Sequence, residues 1–512
     1  MRMVFWGILL SALAMGLISV AEDPVLENDR FRVELTRTGQ IKQVVDKVLD
    51  LTLDQNPSDS IQSFGLVLVN DGRNEEIGSN QQPLPRVFKR GNEVRFSWKG
   101  PLISREGEKF GVDVTTSYAL TQDQISVDVS VRNKSSAVVR VVRYPHLSGL
   151  AQFPVNSPHE GLYIEPPFQG KPLALPFDAT ALSYPGHLSM AFVSVTNTSR
   201  NCSLYLGAHD LRARTKQWQF ENVKGTEGDD VAVSLVHHPF IQPGDAWRGS
   251  PWILSVCEGD WVNAGEIYHG WFEKAFGIRP LEHDWIRREN CFQIVMMMLP
   301  EGNINFRFRD VPDLARQGLE CGVTALQLAG WQLGGHDNGY PYYEPDPRLG
   351  TWEDVRWAIE ECHNMGVKVF FFANLHWAMN DLEWFNNELS RYVSLNEKGK
   401  VNWVGYWGMG TIASRMGYTP PTMSLLNVSF PGIADPTVRY FRKLAELGAD
   451  GIHLDKYMPG NPEYNPGVAE YGFGPEEAGL QSTLDLTERI LRECSAVNPG
   501  FGMSFETSWD RV

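Results

Sequence analysis

The stretch GADGIHLDKYMPG, residues 448–460, decides how the second half of the chain is read. A short apolar run passes through Ile452 and Leu454 and stops at Asp455, Lys456 and Tyr457, ahead of Pro459 and Gly460. A run of that length bounded by turn residues reads as a buried strand. A helically spaced segment, DPTVRYFRKLAELG (435–448), leads into it. The same alternation extends in both directions. CFQIVMMML (291–299), VTALQLAGW (323–331) and VKVFFFANLHW (367–377) read as buried strands, and FGMSFE (501–506) as a last one. Between them lie helical patterns at DVPDLARQGLECG (310–322), TWEDVRWAIEECHNMG (351–366) and GPEEAGLQSTLDLTERILREC (474–494), with Thr351 as an N-cap and Gly322 and Gly366 as stops. Buried strands alternating with helices build a parallel sheet. Five such units fit a (β/α)8-type barrel, and no Gly-rich phosphate loop follows the first strand to favour a dinucleotide-binding fold. Five strands are counted, and Val512 comes six residues after the fifth. The expectation for residues 291–512 is therefore a partial catalytic barrel, truncated after strand five, because an open sheet would expose a long edge.

Upstream the period changes. QISVDVSVRN sets Ile125, Val127, Val129 and Val131 against Ser126, Asp128, Ser130 and Arg132, and EVRFSWKG does the same with Val94, Phe96 and Trp98. Alternation of this kind buries one face and wets the other, as in antiparallel sheets. Many such strands without long helices predict a β-sandwich over residues 22–260. WVNAGEIYHGWFEKAF (261–276) then returns to helical spacing, in a linker over 261–290.

The first residues, MRMVFWGILLSALAMGLISVAEDP, pair Arg2 with an apolar core over 4–18 and small residues at Ser19-Val20-Ala21. Residues 1–21 read as a signal peptide, too short in its apolar core for a span of about 20 residues. The expected location is secreted or periplasmic, with no membrane span after cleavage. A net charge of −16 argues against a nucleic-acid partner, which would want a basic stripe. Six scattered cysteines (Cys202, Cys257, Cys291, Cys321, Cys362, Cys494) form no CxxC pair and no dense disulfide scaffold, though one or two bridges are compatible with the pattern.

In a barrel, catalytic groups lie at the carboxyl ends of the strands. The second strand runs into GWQLGGHDNGYPYYEPDPRLG (330–350), the third ends in Asn374, His376 and Trp377, the fourth in Asp455, and the fifth in Glu506, with Trp509 and Asp510 just beyond. Asp455 shares a face with His453, and Glu506 with Ser504 and Gly502. A carboxylate at a strand end also serves as a cap or ion-pair partner. Two on adjacent ends, however, form a pair that glycoside hydrolysis uses, one attacking the anomeric carbon and the other moving the proton. The aromatic insertion after the third strand (Trp377, Trp384, Trp403, Tyr406, Trp407) suits stacking on pyranose faces. His336 and Asp337 have no second His at ligand spacing, so the loop is read as binding sugar hydroxyls, and no metal or other cofactor is expected.

A sandwich followed by a barrel, with GIHLD at the fourth strand and SFE at the fifth, resembles the retaining α-glycoside hydrolases of the α-galactosidase, endo-α-N-acetylgalactosaminidase, dextranase and α-amylase groups. The resemblance covers residues 260–512, and GHDNGYPYYEPDPRLGTWED is similar to an uncharacterised secreted bacterial family near those enzymes. His453-x-Asp455 looks like the Arg-x-Asp of the amylase type, with His replacing Arg. The resemblance implies Asp455 as nucleophile. It implies Glu506 as acid/base in the amylase-like branch, and an Asp on a sixth strand in the α-galactosidase branch; Asp510 is the rival within this chain. Trp331, His336, Asp337, Asn374, His376, Trp377, His453, Lys456 and Trp509 are the candidate substrate-binding residues, and an oligo- or polysaccharide is the expected partner. Two other readings stay open: a non-catalytic glycan-binding or scaffold protein on the same fold, and a polysaccharide lyase using His376, His453 or Tyr457.

Overall fold

The computed structural model describes residues 22–54, 62–150, 162–165, 173–174, 179–225, 228–277, 284–288, 291–402, 404–405, 423–457, 462–506 and 509–511. The expected signal peptide, 1–21, and Trp403, Tyr406 and Trp407 lie outside them.

The N-terminal half is a set of antiparallel sheets in the layering of a β-sandwich. The strand Ile125–Asn133 buries Ile125, Val127, Val129 and Val131 as its alternation requires. It lies between Val112–Leu120 and Trp252–Glu258 in the larger sheet. A second sheet runs through Gly65–Asn70, Val138–Leu147 and Gly228–His237. The two layers meet where Phe64 packs edge-on against Trp98 at 5.0 Å and the Tyr144 hydroxyl donates to the Ser250 carbonyl at 2.5 Å. Phe192–Asn197 and Cys202–Ala208 are buried at every position. Strands buried on both faces need a cover, which here is helix α1 (Trp261–Phe276), laying Ala264 and Tyr268 over them, with Tyr268 stacked on Phe192 at 5.5 Å. Asp260 caps α1, accepting from the Val262 N–H while Asn263 returns to the Asp260 N–H.

The C-terminal half is a parallel sheet of β1 (Phe292–Met296), β2 (Ala325–Ala329), β3 (Lys368–Ala373), β4 (Gly451–Leu454) and β5 (Gly502–Phe505), in that order. It is crossed over by α2 (Val311–Glu320), α3 (Trp352–Asn364), α4 (Pro431–Glu446) and α5 (Gln481–Ser495). Thr351 caps α3 as its sequence announced, accepting from the Asp354 N–H. One face of the sheet, with Leu326, Leu328, Val369, Phe371, Ile452 and Leu454, is buried against the helices. The register sets Phe292 and Ile294 on the other face, in line with Gln327, Phe370 and Gly451. The expectation of a buried first strand is therefore corrected: Phe292 is 49% and Ile294 56% exposed, because β1 is the edge strand of the sheet, paired with β2 alone. After β3, Trp377–Met379 pairs with Met423–Leu425 and, through it, with Val404–Gly405 in a small antiparallel sheet. All six cysteines are free thiols. Among the described residues no helix is long and apolar enough to cross a membrane.

Candidate active site

The register of the parallel sheet builds the site. His453 of β4 lies beside Phe372 of β3 and Ser504 of β5, and one step further the same face carries Asp455 and Glu506. The Asp455 N–H donates to the Ala373 carbonyl at 2.8 Å, and the Glu506 N–H to the Leu454 carbonyl at 3.0 Å, so both side chains leave from adjacent strand ends. The chain turns at Lys456, whose φ of 53° is left-handed. That turn aims the Lys456 N–H at Glu506 Oε2 (2.9 Å) and folds the Lys456 ammonium back onto Asp455 and onto Asp337 Oδ1, the latter at 2.9 Å. Asp337, also at positive φ, takes a further 3.4 Å bond from the Tyr340 hydroxyl. Its neighbour His336 places Nε2 3.7 Å from Asp337 Oδ2 and its ring 4.8 Å from Phe372. The loop comes this close because Gly330 has no side chain: a Cβ there would strike the Met298 carbonyl. Asp346 shapes the loop, holding Arg348 through two bonds of 2.8 and 2.9 Å and receiving the Gly334 N–H at 3.0 Å.

Depth sets the electrostatics of the pair. Burial lowers the pKa of His453, which faces Ser504 Oγ at 2.9 Å through Nδ1. Burial, reinforced by a hydrogen bond to Glu506, pushes Asp455 up to about 7 against the pull of Lys456. Glu506 is lowered, chiefly by that same hydrogen bond and also by the Lys456 N–H. Burial thus favours the neutral form of Asp455, while its contact with Asp455 favours the charged form of Glu506. Burial works against the Lys456 ammonium, but Asp337 and Asp455 outweigh it and its pKa is raised.

The other candidates separate. His336, Asp337, His453 and Lys456 surround the pair. Trp331 is fully buried, its Nε1 donating to the Phe372 carbonyl at 2.9 Å, so it packs behind β3. Asn374 and His376 are buried: Asn374 Oδ1 accepts from the Trp377 N–H at 3.0 Å, and His376 Nε2 lies 3.4 Å from Thr483 Oγ1. Trp377 is buried beside them. Asp510 and Trp509 are carried away from Glu506 into the sandwich. The Asp510 carboxylate accepts from the Tyr184 hydroxyl at 2.6 Å and from the Tyr268 hydroxyl, and Trp509 packs on Tyr184. Burial raises the pKa of Asp510, with Arg511 and the two tyrosines opposing. Sequence reasoning passed over Tyr340, whose only signal was the aromatic density of GYPYYEP. Among the described residues no group of three or more His, Cys, Asp or Glu is placed to hold a metal ion.

Residues 250–466 match a domain of unknown function, DUF6259. No curated protein sequence matches the chain. Among solved structures it is similar to the α-N-acetylgalactosaminidase NagBb of Bifidobacterium bifidum, with a TM-score of 0.70 and 14% identity over 95% of this chain and 76% of that one. It is also similar to the GH36 α-galactosidase AgaA of Geobacillus stearothermophilus, with a TM-score of 0.54 and 12% identity over 94% of this chain and 72% of that one. The GH36 α-galactosidase AgaB of the same organism gives a TM-score of 0.55 at 12% identity, over 93% of this chain and 69% of that one. At such identities the likeness shows the fold, and the fold is that of multidomain α-glycosidases.

Proposed function

We propose that the protein is a glycoside hydrolase cleaving α-glycosidic bonds with retention, Asp455 acting as nucleophile and Glu506 as acid/base. The observation that carries this is the pair of carboxyl groups on adjacent strand ends, both bound by Lys456, on a fold common to α-galactosidases and an α-N-acetylgalactosaminidase. An α-linked galactosyl or N-acetylgalactosaminyl group is the first substrate class to test. Carboxyls hydrogen-bonded to each other stand closer than the roughly 5–5.5 Å of a working retaining pair. A sugar entering the site parts them. Asp455 then loses the Glu506 contact that raises its pKa but keeps Lys456, and ionises. Glu506 loses the hydrogen bond that lowers it and receives the proton. Screening the full chain on aryl α- and β-glycosides, with the first-formed anomer read by NMR, tests the reading; release from β-glycosides alone would sink it.

The upward shift of Asp455 favours a second reading, with the roles exchanged. Lys456→Met separates the two. Lys456 lowers the Asp455 pKa, so its loss raises it. If Asp455 must be ionised, the acid limb of the kcat/KM profile moves to higher pH; if Asp455 is the acid, the alkaline limb moves instead.

Export follows from the apolar segment 4–18. The mature protein is expected to begin near Glu22 outside the cytoplasm. Mass spectrometry finding Met1 to Ala21 retained on a soluble cytoplasmic form would count against it.

A further inference from the structure

A cleft of about 540 Å³ opens between the 330–350 loop, the short helix Glu383–Asn387 and α4. That is the size of a small-ligand site. None of its lining residues holds Asp455, Glu506 or Asp337. Two partly exposed aromatic faces form one wall: Tyr342 and Trp384, with ring centres 5.1 Å apart and planes at 44°. Trp384 is fixed by an Nε1 bond of 3.0 Å to Glu388. Tyr440 and Lys443 also line the cleft, the latter 3.9 Å above the Trp352 ring and 3.9 Å from Glu344, which accepts from Trp352 Nε1 at 2.7 Å. Among the described residues no hydrogen bond engages the Tyr342 or Tyr440 hydroxyl or the Arg439 guanidinium. Burial raises the pKa of both phenols, Tyr440 to about 12, which keeps them neutral donors.

We propose that this cleft is a second saccharide-binding site, taking a pyranose ring on the Trp384 and Tyr342 faces. The chemistry selects the class. A pyranose has flat C–H faces for the rings and a girdle of hydroxyls for the phenols, the guanidinium and the carboxylates. Glu344 and Glu388 balance Arg439 and Lys443, so the cleft has no charge excess to draw a phosphate, and it lacks the continuous apolar groove that a docking helix needs. The inference is independent of the catalytic reading, since its residues are not those of the carboxyl pair.

The test is native electrophoresis of the full chain, in the Asp455→Asn background so that no sugar is cut, through gels cast with galactomannan or dextran. Saturation-transfer NMR with raffinose and N-acetylgalactosamine accompanies it. At least one saccharide is expected to bind, with Trp384→Ala and Tyr342→Ala each weakening it about tenfold, the scale of one lost aromatic contact. Trp384→Phe, which keeps a flat face, is expected to retain most of the binding and to report on the site if the alanine variant fails to fold. Unchanged binding in correctly folded Trp384→Ala and Tyr342→Ala overturns the proposal, as does the absence of binding by the parent to every probe. Trp384-dependent binding by a protein whose wild type cleaves no glycoside upholds this site and removes the catalytic reading alone.

Discussion

Asp455→Asn is expected to lower kcat/KM on an aryl α-glycoside by on the order of 10⁴-fold, the upper end of what one positioned carboxyl supplies. That is about 5.5 kcal/mol of transition-state stabilisation. Position matters here before pKa. Asp455 is 5% exposed, at the end of a strand whose inner face continues through His453, and its carboxyl is bound by Lys456 and Glu506. The amide keeps the shape but offers no negative charge to the anomeric carbon. Glu506→Gln is expected to be as damaging on a natural glycan, whose leaving oxygen needs a proton, but mild in the first step on an activated aryl glycoside, which needs little. Azide then assigns the roles. With the acid/base removed, azide attacks the glycosyl-enzyme and gives an azide of retained configuration. With the nucleophile removed, azide occupies the nucleophile's face and gives the inverted one. Retained product from Glu506→Gln and inverted product from Asp455→Asn supports the assignment, and the opposite pattern exchanges the roles. Full activity in Asp455→Asn would end the strand-four proposal.

What could be read from sequence was whatever depends on neighbours along the chain. The alternation of 125–131, the N-cap at Thr351, α1 from Trp261 to Phe276, and the adjacency of Asp455 and Glu506 all follow from local period and strand order. What could not be read depends on contacts between distant residues or on depth. Asp510 looked like a site residue because it follows Glu506 closely, yet its partner Tyr184 is 326 residues away. Lys456 and Asp337, 119 residues apart, meet only because a left-handed turn and a glycine-rich loop converge over the sheet. Trp331 and His376 occupy strand ends like any mouth residue, and only their burial shows that they pack inward. The raised pKa of Asp455 escaped for the same reason, since desolvation is its first cause and no spacing in the sequence reports it.

Asp210→Asn is expected to destabilise the protein by about 3–5 kcal/mol, the cost of leaving buried charge without its partner. Asp210 is 5% exposed and Lys216 2%. One carboxylate accepts from Arg214 at 2.7 and 3.0 Å, from the Lys216 ammonium at 3.0 Å and from Ser250 Oγ at 2.6 Å. Burial works to raise its pKa, but Lys216 and Arg214 together hold it well below the usual carboxylate range. The chain of contacts continues across the molecule: Ser250 Oγ lies 3.2 Å from His237 Nε2, and His237 Nδ1 2.9 Å from Glu476, which belongs to the segment between β4 and α5. The cluster therefore joins the sandwich to the sheet that carries the carboxyl pair. Removing the charge of Asp210 strands two cations beside each other away from water. Adding Lys216→Met should then restore part of the loss, because it removes one of those cations, and the two changes should fall short of additive. Arg316→Ala, at an exposed pair with Asp313, is the control and should cost under about 1 kcal/mol. Because the folded-state pKa of Asp210 lies below the unfolded value near 3.9, its contribution is complete above that pH and is lost only as pH falls toward the folded value. Urea midpoints at pH 7 should then separate the variants by their full difference, narrowing well below pH 4. Midpoints for Asp210→Asn no lower than for Arg316→Ala would show that water, not the carboxylate, solvates Arg214 and Lys216.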